Sequence, residues 1–167
     1  NTLSGSYADL TTAFTANSNG SISGLGNEAV SITEVVTTSQ ANTLAAATAG
    51  VVTATLSDGD LATLAALTET GNAYSITISD ASVAVTALNT LDGKTTVAIN
   101  ASNITTLTGA AADLNTAYTS SGISNLGNEA VTLSDTTLAA SVLNALDGRT
   151  SGSINANSIN TLSGTAA

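Results

Sequence analysis

The sequence predicts an α/β solenoid, built from coils of about 22 residues that each contribute a short strand and a short helix. Three observations lead there. Residues 78–112 align without a gap on residues 133–167, an offset of 55 at which about half of the positions are identical. Inside that repeat, short β-favouring segments recur at a constant interval, with starts near Val30, Val52, Tyr74 and Thr96. Each is succeeded by Leu, Val and Ala at helical spacing.

In chain order, NTLSGSYADLTTAF at 1–14 opens a larger inserted unit, 1–29, and returns as TTLTGAAADLNTAY at 105–118. The strand segments then read VSIT at Val30, VTATL at Val52, YSITI at Tyr74 and TVAIN at Thr96. A second larger unit, 104–130, reads as an insertion ahead of further starts near Val131 (VTLS) and Ser153 (SINAN). GLGNEAV at 24–30 returns as NLGNEAV at 125–131, where Gly26-Asn27 and Gly127-Asn128 are expected to turn the chain into the next strand. NTLSG begins once more at Asn160. Residues 1–167 therefore read as one solenoid segment, an excerpt of a longer array phased to continue into another copy.

Ser57-Asp58, Ser79-Asp80 and Ser134-Asp135 stand where N-caps of the succeeding helices would be. Leu61, Leu64 and Leu67, then Val85, Leu88 and Leu91, then Leu138, Val142 and Leu146 supply the buried faces. Asp92-Gly93 and Asp147-Gly148 are expected to end two helices, with Gly in the left-handed position. A strand of four or five residues and a helix of ten to twelve, closed in about 22, has the dimensions of a leucine-rich-repeat coil, with a parallel strand ladder on one side. The alternative is an all-β solenoid, because Thr, Ser and Val also suit strands.

Composition restricts the chemistry. The chain has no His, Cys, Pro, Met or Trp, and only 8% of its residues are charged, against roughly 25% in an ordinary domain. Nucleophile–imidazole catalysis, thiolate or imidazole metal sites and disulfides are excluded. Lys94 and Arg149 face twelve acidic residues, for a net charge of −10. Nucleic acid is therefore not an expected partner, since phosphate binding needs several cations. No apolar run approaches the roughly 18 residues of a membrane span, so no membrane insertion is expected.

Carboxylates are the remaining candidates. Asp58 and Asp60 flank Gly59 in a weak likeness to a calcium loop, without the EF-hand spacing. Asp92 and Asp147 are read as turn formers whose outward carboxylates could recruit calcium between neighbouring arrays. Asp58, Asp80 and Asp135 are read first as caps and second as calcium ligands. Glu28 and Glu129 read as parts of a turn before they read as ligand or interface acids. Tyr7, Phe14 and Tyr118 are expected to plug the larger units, Phe14 matching Tyr118. Ser31 and Thr33, Thr53 and Thr55, and Ser75 and Thr77 would share one strand face as a hydroxyl ladder, the kind of array that ice-binding solenoids present. Sequons occur at Asn19, Asn100 and Asn103. Nothing marks a paired-carboxylate active site, and the expectation is that the chain is not an enzyme.

In the words LNTLDG, INASNITTLTG, GAAADL, GISNLGNEAV and TLSDTTLAASVLNALDG, the chain resembles tandem-repeat regions of very large secreted or cell-surface proteins of cyanobacteria and other aquatic bacteria. The resemblance covers essentially the whole chain. It implies an extracellular structural element, such as a surface layer, fibre or adhesin stalk, with other copies of itself as partner. It brings no catalytic residues and no required cofactor. Calcium and surface polysaccharide are the other partners considered, in a calcium-dependent adhesin or glycan-binding repeat. Freedom from Cys and Met suits oxidising surroundings.

Overall fold

Residues 1–164 are described by the structure, a computed structural model, and form a mixed α/β fold with six helices and parallel strands in several small sheets. The third copy of the opening word is described through Gly164; positions 165–167 of its repeat lie outside the described residues.

The chain opens with β1 (Thr2–Gly5) and α1 (Tyr7–Ser18), succeeded by β2 (Ala29–Val36) and α2 (Thr38–Ala45), then β3 (Val52–Leu56) and α3 (Leu61–Leu64). β4 (Ala73–Ser75) and β5 (Ser82–Ala84) lead into α4 (Val85–Asp92). β6 (Ile99–Asn100) and β7 (Thr106–Gly109) precede α5 (Ala111–Thr119). β8 (Ile123–Ser124), β9 (Ala130–Leu133) and β10 (Thr137–Ala139) precede α6 (Ala140–Asp147), and β11 (Ile154–Asn155) and β12 (Thr161–Ser163) close the described chain.

Local sequence explains these elements. Alternation in VTATL makes β3 buried, exposed, buried, exposed, buried, with Val52, Ala54 and Leu56 facing inward. In α4, Val85, Leu88 and Leu91 recur on one buried face, as Ala111, Leu114 and Ala117 do in α5. Thr37 and Gln40 form a reciprocal capping box at the start of α2. The formed helices rule out the all-β alternative. They are nevertheless shorter than expected: only α1 reaches 12 residues, and α3 has 4. Thr, Ser and Asn crowd the segments between apolar positions and favour caps and turns over helix interiors.

Among the described residues every strand pairing is parallel. One sheet has the order β1-β2-β3-β4, another β5-β7-β9-β11, and β6-β8 and β10-β12 form pairs. Bridges from Asn72 to Thr95 and from Thr77 to Asn100 tie the end of the first sheet to the segment that carries β6. Residues 104–130, read from sequence as an insertion, hold β7, α5 and β8, and β7 pairs with β5 on one side and β9 on the other. Ser82 lies beside Thr106, Thr106 beside Ala130, and Ile99 beside Ile123, the same step along the chain each time. A whole strand–helix pass therefore stands there, its strand the short TLTG and its helix AADLNTAYT. The 55-residue offset is kept element by element: β5, α4, β6 and β7 return as β10, α6, β11 and β12.

The expected hydroxyl ladder is out of step. A bulge in β2 moves the register between Ser31 and Val35, so the neighbours are Ser31, Thr53 and Ala73 in one row and Val35, Thr55 and Ser75 in the other. Gly93 and Gly148 also differ from expectation. They do end α4 and α6, but both sit in the right-handed helical region, with φ of −69° and −73°. The apolar side chains form one connected core from Leu10 to Leu146. Among the described residues, no helix is long and apolar enough to cross a membrane.

Candidate functional site

Asp58, Asp80 and Asp135 cap helices, but none of the three caps the succeeding helix that sequence reasoning assigned to it. Asp58 Oδ2 accepts from the Thr38 N–H of α2 at 2.6 Å, Asp80 Oδ2 from the Leu61 N–H of α3 at 2.7 Å, and Asp135 Oδ2 from the Ala111 N–H of α5 at 2.7 Å. Each acid reaches back to the helix before it in sequence. The serine ahead of each acid joins in: the N–H groups of Ser57, Ser79 and Ser134 donate to the carbonyls of Val36, Gly59 and Gly109. The accepting carbonyl always lies two positions before the capped N–H. The Ser-Asp dipeptide is thus a two-point clamp between successive strand–helix units, repeated three times. Glu34 plays the acid's part for α1, accepting from the Tyr7 N–H at 2.9 Å. Asp60 is the acid that caps its own helix, accepting from the Thr63 N–H at 2.9 Å, and this bond holds its carboxyl below the ordinary value of 3.8.

At the opposite corner a hydroxyl repeats the theme. Thr48 Oγ1 donates to the Glu28 carbonyl and accepts from the Gly50 N–H. Thr150 does the same with the Glu129 carbonyl and the Gly152 N–H, at 2.7 and 3.0 Å. Thr95 donates to the Tyr74 carbonyl and accepts from the Val97 N–H. Gly50 and Gly152 have no room for a side chain, because a Cβ on either would land on the Glu28 or Glu129 carbonyl. These corner residues were missed at the sequence level; Thr48 and Thr150 are marked by a Gly two positions later, whereas Thr95 precedes Val97 by the same step.

Glu28 and Glu129 lock the Gly-Asn turns. Glu28 Oε2 accepts from the Gly26 N–H at 2.7 Å, and Glu129 Oε2 accepts from the Gly127 N–H at 2.8 Å. Gly26 and Gly127 adopt φ of 121° and 135°, which requires glycine. The Gly26 N–H is the main group holding the Glu28 carboxyl below 4.5. Glu129 is fully buried; Tyr118 OH also donates to its Oε2 at 3.2 Å, while its Oε1 has no partner among the described residues. Burial, with Glu129 adjacent, pushes the Tyr118 hydroxyl up to about 12. Phe14 and Tyr118 both pack on the core, as does Tyr7.

The remaining candidates separate. Asp92 turns inward instead of outward: its Oδ2 accepts from Ser120 Oγ at 2.6 Å, and Gly122 packs directly against the carboxylate. Asp147, its counterpart, is exposed. Lys94 Nζ donates to the Thr68 carbonyl and Arg149 Nε to Asn115 Oδ1, so both cations reach back to earlier units. Asn103 donates to the Ile78 carbonyl, and Asn100 Oδ1 accepts from Asn125, which engages two of the three sequon amides. Among the described residues no three Asp or Glu side chains converge as a metal site. No protein-family model, curated protein or solved structure matches the chain. The functional reading therefore rests on the geometry: side chains about one unit apart in sequence bind each unit to the next.

Clefts occur where helices meet incompletely. One of 250 Å³ lies between α1 and α2 and includes Phe14 and Leu44; another of 250 Å³ lies between α3 and α4 and includes Leu61, Thr90 and Lys94. A third, of 320 Å³, lies beside α6 and is lined by Leu143, Asn144, Asp147, Ile154 and Ala156.

Proposed function

We propose that the chain is a segment of an extracellular structural repeat, a solenoid whose stacked strand–helix coils build a stiff rod for a surface layer, fibre or adhesin stalk. The observation that carries this reading is the Ser-Asp clamp, three times over the same pair of bonds between one unit and the unit before it. A site evolved for one ligand would be expected once. A bond that recurs with the repeat serves the repeat.

The physical consequences suit a mechanical role. Parallel strands spaced about 4.8 Å apart leave no backbone slack along the stacking direction. Carboxylate caps and hydroxyl corners add directional bonds on either side of that ladder, and the close glycine contacts prevent sliding. Repetition makes stability a sum of unit and neighbour terms, so lengthening costs nothing in fold. The likeness to repeat regions of secreted bacterial surface proteins and the absence of oxidisable Cys and Met support an extracellular setting.

Tandem fusions of residues 1–159 test the proposal by negative-stain electron microscopy. Straight rods of constant width, lengthening by one increment per copy, are expected. Beads joined by flexible linkers would contradict it.

A further inference from the structure

We draw no further inference here: the strongest candidate, the apolar cleft between α3 and α4, carries nothing, since its one cation, Lys94, already donates to the Thr68 carbonyl and nothing in the structure shows what covers the rest.

Discussion

At the scale of single residues, the acids of the Ser-Asp clamps act on backbone groups one whole unit earlier in the chain. Asp80 satisfies the first N–H of α3 rather than that of a later helix, since the end of one strand lies beside the end of the preceding strand, where the preceding helix begins. Alanine at Asp58, Asp80 or Asp135 should cost about 1 kcal/mol each, the usual loss for a helix cap. Asp147→Ala should cost nothing measurable, and urea unfolding of the four variants gives the comparison. Acid should act through Glu28 in a defined direction. Its folded carboxyl is held below 4.5, so the unfolded chain binds the proton first. The contribution is present above about pH 4.5 and declines as the pH falls further. Glu28→Gln should flatten that decline in a pH series of melting temperatures. At the alkaline end, Tyr118 is raised from 10.0 to about 12, so its contribution is intact below pH 10 and lost as the pH rises through that window. That Asp58, Asp80 and Asp135 cap helices was legible in the sequence. Which helix each one caps was not, because no local pattern encodes a neighbour one whole unit away.

Among the elements, the strands near Val30, Val52 and Val131 and the helices carrying Val85, Leu88 and Leu91 were readable from period and composition, since alternation and i, i+3 spacing are local signals. Two features escaped that reading for physical reasons. β7, the four-residue TLTG with one buried side chain, is too short to show alternation, so the unit that it opens with α5 reads as an insertion. The bulge of β2 shifts Val35 opposite Thr55, a choice made by inter-strand packing and invisible to a count of spacings. The close approach of Gly50 to the Glu28 carbonyl, and of Gly152 to the Glu129 carbonyl, likewise belongs to the contact between elements. Gly50→Ala and Gly152→Ala should each destabilise by about 1–3 kcal/mol through overpacking against backbone. Gly20→Ala, where a Cβ meets nothing within 4 Å, should lose only what its φ of 78° imposes. Denaturant midpoints of the three variants check the order.

For the whole molecule, no metal ion is expected to take part in holding the units together, because the clamps are made by backbone N–H groups and carboxylates directly. Melting in the presence of a chelator should therefore match melting in excess calcium; a calcium-dependent rise would favour the adhesin reading, with Asp147 as its most exposed candidate. A stack whose unit can be multiplied is tested most directly by a series of chains carrying one to four additional copies of residues 82–136 placed after residue 136, each copy holding one α4 and one α5. The maximum dimension by small-angle scattering should grow linearly, by about 10 Å per copy at two coils of ~4.8 Å each, with a constant cross-section and a melting temperature that rises or holds. Growth in all directions together, or a melting temperature that falls with each copy, would contradict it.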